Sequence, residues 1–156
     1  MELALPHQLA VERLVELLPL AEVNWALTGS VAHRLQGANL KCRDVDIQAD
    51  ALGAYEIAAR LATWVLEPVG LRVSAQIRSR FGRLRFEDLD VDLEVMGAVQ
   101  KLPPAGSWTV PTDPSEHRVL VPSGPALVPV LSLAYEAEAY EWIGRLDRAR
   151  LLRSLL

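Results

Sequence analysis

The stretch WALTGSVAHRLQGANLKCRDVDIQAD, residues 25–50, decides the fold. Its first half predicts an apolar strand that turns through Gly29-Ser30 into a short helix. Such a corner presents backbone N–H groups and a hydroxyl to a bound phosphate. Glycine permits a close backbone approach, and serine also caps helices, so plain N-capping is the alternative interpretation.

The second half of the stretch places carboxylates on one face of a short strand. Side chains alternate between the two faces of a strand. In the strand predicted over residues 44–49, Asp44, Asp46 and Gln48 therefore share one face, and the apolar residues take the other. We expect the apolar face to pack against helices and the carboxylates to lie on a face left open.

A later segment, LDVDLEVM at residues 89–96, repeats this acidic pattern. Asp90, Asp92 and Glu94 alternate with apolar residues and point to one side of the predicted strand. If the two acidic strands are neighbours, their crowded acids raise one another's pKa. A divalent cation relieves this repulsion, and hard oxygen ligands of this kind suit Mg²⁺. The alternative is a solvated sheet face whose acids pair with nearby arginines.

The other segments predict one α/β or α+β domain over residues 1–156. We expect a mixed twisted sheet with helices on one face, an open polar face and C-terminal helices. Helices are predicted at 7–19, 30–35, 53–66 and 131–156, and further strands at 23–28, 71–78, 82–87 and within RVLVP and ALVPV. Gly144 is predicted to divide the C-terminal helical segment, 130–156, and residues 101–116 to form a surface loop.

Composition excludes several classes of protein. The formal net charge of −4 argues against non-specific binding to duplex DNA, which needs a basic surface. The single cysteine, Cys42, excludes an internal disulfide and a multi-cysteine zinc site. The N-terminal residues lack the pattern of a signal peptide, and no apolar stretch reaches membrane-spanning length. These features predict a cytoplasmic protein without a membrane partner.

The order of these motifs resembles the nucleotidyltransferase superfamily with the DNA polymerase β-type fold. Gly29, Ser30, Asp44 and Asp46 match its signature, in which Gly-Ser after an apolar strand is followed by Asp-x-Asp and a third acid on another strand. Its small bacterial members include minimal nucleotidyltransferases, lincosamide and aminoglycoside nucleotidyltransferases, and AbiEii-type toxins. The segment VPVLSLAYEAEAYEWIGRLDRARLL also resembles the helix that follows the catalytic sheet in such members.

The resemblance implies phosphoryl chemistry that depends on two Mg²⁺ ions. These ions would bridge Asp44, Asp46 and the third acid, while Gly29 and Ser30 contact the β- and γ-phosphates of an NTP. The products would be pyrophosphate and an NMP-modified hydroxyl acceptor, which is a small molecule, a protein side chain or an RNA end. The alternative is a non-catalytic or weakly catalytic regulatory partner, such as the antitoxin of a helical toxin. A homodimer through the C-terminal helices also stays open.

Two residues compete for the position of the third acid. Asp92 matches the family's V-D-L context and is our first choice, whereas alignment on Met96-Gly97 favours Glu94. Both lie on the polar face of the predicted strand, so alternation does not choose between them. On the strength of its V-D-L context, Asp92 is assigned the catalytic role, and both residues are predicted metal ligands.

Several basic residues near these motifs are candidate ligands for phosphate. Lys41 and Arg43 lie in the loop just before Asp44, where they contact the phosphates or the acceptor, or remain solvated loop charges. His33 and Arg34 are predicted to face solvent, and the alternative is that either faces the nucleotide. The arginines of the last segment are interpreted as favourable charges near a helix C-terminus, whereas the resemblance implies the alternative that a basic residue of this region approaches the nucleotide; they are Arg145, Arg148, Arg150 and Arg153.

Overall fold

A mixed sheet of seven strands organises the chain, all 156 residues of which are described by this computed structural model. The strands are β1 (Trp25–Thr28), β2 (Val45–Ala49), β3 (Val65–Val73), β4 (Ile77–Phe86), β5 (Val91–Lys101), β6 (Arg118–Ser123) and β7 (Ala126–Leu131). Their order across the sheet is β3-β4-β5-β2-β1-β7-β6. The β2–β5 and β1–β7 pairs are parallel, and all other neighbours are antiparallel.

Six α-helices accompany the sheet: α1 (Leu5–Leu17), α2 (Gly29–Leu35), α3 (Ala51–Arg60), α4 (Pro114–His117), α5 (Leu133–Trp142) and α6 (Leu146–Arg153). None of them combines the length and the apolar character that crossing a membrane requires. Helices α1, α2 and α3 bury apolar side chains in one core with the alternate residues of β2 and β5, including Val45, Ile47, Leu93 and Val95. The apolar sides of both acidic strands are therefore covered, as the alternation predicts.

The register of the sheet aligns the two acidic strands. β2 and β5 are parallel neighbours, and Asp46 is the Cα partner of Glu94. On its other side, β2 runs antiparallel to β1, where Asp46 faces Thr28. Since Thr28 ends β1 and Gly29 begins α2, the strand-to-helix corner lies directly beside the row of acids.

The C-terminal helices lie on the polar side of the sheet. Gly144 separates α5 from α6 with φ +77°, a left-handed conformation that suits glycine, and this confirms the predicted division. From α5, Glu136 and Tyr140 share a cavity wall with Gln48 of β2. Gln48 is only 5% exposed, so this part of the polar face is covered rather than open.

The largest difference from the predicted elements lies between α3 and β4. The helix predicted to reach residue 66 ends at Arg60, and a 3₁₀ turn at Ala62–Trp64 leads into β3. β3 contains Pro68 and Gly70, which predicted a break rather than a strand. β3 lies at the edge of the sheet, where a missing N–H donor is tolerated, and its pairing with β4 shifts register at these residues.

Candidate active site

Three carboxylates line one cavity beside the corner between β1 and α2. Asp46 and Glu94 lie opposite each other on β2 and β5, and Asp44 comes just before β2. All three line a cavity of about 520 Å³ together with Gly29 and Ser30. The structure therefore brings the Gly-Ser corner and acids from two strands to one place.

Burial and repulsion perturb two of these carboxyl groups. The pKa of Asp46 is raised from its ordinary value of 3.8 to about 7, chiefly by burial. Repulsion adds to this increase, and it comes from Glu94, Asp44 and Glu136. Burial also raises the pKa of Glu94, and the charge of Asp44 acts in the same direction, although Arg83 opposes it. Burial and repulsion therefore both favour the protonated form of these two carboxyl groups.

Gly29 is required by both the backbone and the space around it. Its φ of +72° lies in the left-handed region, where a side chain causes strain. A Cβ at this position would also collide with Oδ2 of Asp46. Glycine therefore lets the turn from β1 into α2 pass directly against the carboxylate.

The loop before β2 is fastened to the same corner. Oγ of Ser30 accepts a hydrogen bond from the backbone N–H of Arg43 at 3.2 Å, and the Arg43 carbonyl lies 2.7 Å from Nε2 of His7. These contacts hold Lys41 and Arg43 where both line the cavity. The structure thus places both predicted phosphate ligands beside Asp44.

Two arginines of the last segment belong to this cavity as well. Arg145 is the residue that precedes α6, and Arg148 lies in the first turn of that helix. Both line the cavity of the three acids. Their interpretation as charges near a helix C-terminus was therefore wrong. The chain breaks at Gly144, and a new helix, α6, begins at Leu146, so both residues lie near a helix N-terminus. Arg153 does lie near the end of α6, where it pairs with Glu141.

His33 lies in a buried polar network behind the cavity. It is fully buried, contrary to the prediction that it faces solvent. Arg148 donates to its Nδ1 at 3.1 Å, because a guanidinium has no acceptor. Nε2 then donates to the Glu136 carboxylate at 3.2 Å, which also accepts from the Thr28 hydroxyl. The network fixes the position of Arg148 at the cavity wall.

Asp92 lies outside this group. Its Cα partner is Arg85 of β4, and the Arg85 guanidinium donates to its carboxylate at 2.8 Å. The side chain is half-exposed and does not line the cavity. The register of β5 sets Glu94, not Asp92, beside Asp46, so the geometry favours Glu94, the second choice, as the third acid.

The chemistry of the donors fits a divalent cation. Asp44, Asp46 and Glu94 offer hard oxygen atoms, and a cation would stabilise the ionised form of Asp46 that burial, and to a lesser extent repulsion, disfavours. No three His, Cys, Asp or Glu side chains converge on one point as they stand. Mg²⁺ needs only one or two protein carboxylates, because water and substrate phosphates complete its shell.

Sequence reasoning missed the contribution of α5 to the site. Glu136 is one of three acids in α5, and the other two, Glu138 and Glu141, are exposed whereas Glu136 is buried. No local sequence feature distinguishes it from them. Tyr140 follows one helical turn later and lines the cavity. Burial and the Glu136 charge raise its pKa to about 12, so the phenol keeps its proton.

Comparison with known proteins identifies the family. The sequence profile of a family described as aminoglycoside-2''-adenylyltransferase matches residues 10–152. The chain belongs to this family. It is a transferase of the nucleotidyltransferase type, as the resemblance implied, and the family's chemistry takes an NTP as substrate.

Two solved structures support the same assignment. One, TM1012 from Thermotoga maritima, is provisionally described as a nucleotidyltransferase; it is 35% identical, with a TM-score of 0.82 over 98% of this chain and 94% of that one. The other is the lincosamide antibiotic adenylyltransferase LnuA with lincomycin bound, 14% identical, with a TM-score of 0.57 over 100% of both chains, a likeness of fold alone. The nucleotidyltransferase fold is thus confirmed. No curated protein gives a significant match.

Proposed function

We propose that this enzyme transfers the nucleoside monophosphate of an NTP to a hydroxyl acceptor in a Mg²⁺-dependent reaction that releases pyrophosphate. One observation carries the proposal: the acids of β2 and β5 face a set of cationic side chains across a single cavity. Acids suit a cation, and guanidinium and ammonium groups suit phosphates. ATP is the proposed donor, because the family description specifies adenylyl transfer.

The acidic side chains of the cavity would bind Mg²⁺, and its cationic side chains would bind the triphosphate. Asp44 and Asp46 would hold Mg²⁺ with Glu94 beside them, and the resemblance implies two ions. When bound, Mg²⁺ neutralises phosphate charge and lowers the pKa of a coordinated hydroxyl. The triphosphate oxygens would be bound by the cationic residues of the cavity wall, namely Lys41, Arg43, Arg145 and Arg148. Gly29 leaves room for the backbone to approach this charge.

The transfer itself is a displacement at the α-phosphorus. The acceptor oxygen forms a new P–O bond, the bond between the α-phosphorus and the bridging oxygen breaks, and pyrophosphate leaves with that oxygen. Glu94 would take the proton of the acceptor hydroxyl. Burial raises its pKa, and a carboxylate of raised pKa is a better general base near neutral pH than an exposed one.

Label transfer from ATP tests this proposal. We would incubate the protein with ATP labelled at the α-phosphate, Mg²⁺ and a mixed panel of hydroxyl compounds, and measure pyrophosphate release and labelled products. The proposal predicts release that needs Mg²⁺ and is lost in Asp46→Asn. Release in the absence of divalent metal, or unchanged release by Asp46→Asn, would contradict it. A regulatory protein without catalysis would release no pyrophosphate under any of these conditions.

A further inference from the structure

A second, inner cavity adjoins the first at the pair of acids. It has a volume of about 150 Å³ and lies between the polar face of the sheet and α5. Asp46 and Glu94 line both cavities, and Gln48, two residues further along β2, lines only the inner one. Most sites for drug-sized ligands occupy roughly 300–1,000 Å³, so the inner cavity takes a compact molecule.

A bulge in β5 turns Lys101 into this cavity. Ala98 adopts a left-handed φ of +51°, and the pairing of β5 with β4 shifts register nearby. An extra residue in a strand inverts the alternation beyond it. Val99 and Lys101 therefore line the same cavity as Glu94, although they lie an odd number of positions further along the strand, which in a regular strand would put them on the opposite face.

Burial leaves the ammonium group of Lys101 without a partner. The residue is 7% exposed, and its Nζ forms no hydrogen bond or ion pair with the protein, although this atom is not among the fully enclosed ones. Glu136 is the one acid whose charge acts on it, and that carboxylate already accepts from Thr28 and His33. Burial lowers the pKa of Lys101. A buried cation without a counter-ion is unfavourable, and an anionic group in the cavity would stabilise it.

Gln48 presents a second unsatisfied group to the same space. Its side chain is 5% exposed, and Oε1 has no hydrogen-bond partner. Buried polar atoms without a partner are rare in native proteins, and each one calls for an explanation. A hydroxyl or N–H of a bound molecule would satisfy this oxygen.

The geometry of displacement indicates which substrate enters the inner cavity. In an in-line reaction, the attacking oxygen and the leaving pyrophosphate lie on opposite sides of the phosphorus. Lys41, Arg43 and Arg148 line the outer cavity but not the inner one, which suits pyrophosphate. Arg145 lines both cavities, and Lys101 and Gln48 line the inner one but not the outer. The attacking hydroxyl would then approach the acid pair from the inner side.

We infer that the inner cavity binds the acceptor, and that the acceptor is a compact hydroxyl compound carrying a carboxylate or another anionic oxygen group. Lys101 Nζ pairs with the anionic group, Gln48 Oε1 accepts from a second polar group, and the acceptor hydroxyl lies beside Glu94. This inference rests on the proposed function.

Calorimetry with a matched pair of probes tests the inference. Glycerate and glyceramide share a skeleton and two hydroxyls and differ in the charge of one group. We would titrate each into the full chain saturated with Mg²⁺ and a non-hydrolysable ATP analogue. We expect glycerate to bind at least about tenfold more tightly, because a charge-assisted hydrogen bond replaces a neutral one.

Two substitutions test whether Lys101 causes the preference for glycerate over glyceramide. Lys101→Met keeps the length and apolar stem of the side chain and should abolish the preference, while Lys101→Arg should retain it. Asp92→Asn, outside both cavities, is the matched control and should bind both probes as the wild type does. Melting temperatures establish that each variant is folded, and the comparison of the two probes on the wild-type protein needs no variant.

Several results would overturn the inference. These are equal binding of the two probes, binding of neither, tighter binding of glyceramide, or a preference that survives in Lys101→Met. A Lys101→Met variant that weakens only the ATP analogue would assign the inner cavity to the nucleoside. Pyrophosphate release is measured in parallel: if it still needs Mg²⁺ and Asp46, only the inference fails, and if that dependence is absent, the proposed function fails too.

Discussion

Asp92 and Glu94 lie on the same face of β5, yet their surroundings differ completely. Asp92 faces Arg85 of β4 and is paired with it, half-exposed, outside the cavity. Glu94 faces Asp46 of β2 on one side and Arg83 of β4 on the other, and burial raises its pKa. Two positions along the strand therefore separate an acid that is neutralised at the surface from an acid that lines the cavity. Sheet register, not the local V-D-L motif, makes this difference.

The largest effect should follow substitution of the acid that lies deepest in the group. Asp46→Asn removes a proposed metal ligand and should lower the rate of NMP transfer by about 10³-fold or more, equivalent to several kcal/mol of transition-state stabilisation. The fold should remain intact, because the neutral amide removes repulsion from Glu94 and Asp44. Initial rates of pyrophosphate release and a melting curve check both statements. A large loss of stability would show that the Asp46 charge supports the fold instead.

The next largest effect should come from the corner that touches Asp46. Gly29→Ala places a Cβ against Oδ2 of Asp46 and should reduce transfer by about 10²-fold, because displacement of the carboxylate disturbs reactive geometry. Gly37→Ala is the matched control. Gly37 also has a positive φ, +108°, but a Cβ there would meet only Leu155 at 3.9 Å. Equal losses of activity in both variants would assign the effect to backbone strain alone.

The raised pKa of Asp46 predicts a pH dependence of stability in metal-free protein. Between about pH 4 and pH 7 the unfolded state ionises this carboxyl while the folded state keeps it protonated. Stability is therefore lost as pH rises through this window. Asp46→Asn lacks this loss. Its Tm should exceed that of the wild type by about 10 °C at the upper end of the window, because ionising a carboxyl whose pKa is raised from 3.8 to about 7 costs ~4 kcal/mol. Parallel Tm profiles for the two proteins would contradict the burial of this charge.

The smallest effect should come from the paired acid. Asp92→Asn breaks an exposed ion pair with Arg85, and such pairs contribute about 0–1 kcal/mol. We expect a decrease in the free energy of unfolding within that range, measured by urea denaturation. Arg85→Gln should have a larger effect, because Arg85 also pairs with Asp90, and adding Asp92→Asn to it should cause little further loss. A loss well above this range would mean that the pair holds the β4–β5 hairpin in register.

The sequence was sufficient for the parts of the fold that follow from alternation. In β2 and β5 the apolar residues enter the core and the acids face the other side, as the period of two requires. β3 was not predictable in this way, because Pro68 and Gly70 interrupt its pattern. An edge strand tolerates both residues, but only the position of the strand in the sheet reveals that it lies at an edge.

The candidate site was predictable only where its residues are close in sequence. Gly29, Ser30 and Asp44 could be found because one strand, one helix and one loop connect them. His33 and Arg148 meet through contacts between elements far apart in the chain, and no local pattern carries that information. The same holds for Lys101, whose direction depends on the bulge at Ala98.

The rates of NMP transfer by Glu94→Gln and Asp92→Asn, measured side by side with saturating Mg²⁺ and ATP, test the central claim most directly. Since a positioned general base contributes typically ~10²–10⁴-fold, we expect Glu94→Gln to lose at least about 10²-fold in kcat and Asp92→Asn to stay within about threefold of the wild type. The reverse order, with Asp92→Asn inactive and Glu94→Gln active, would contradict the assignment of the third acid to Glu94.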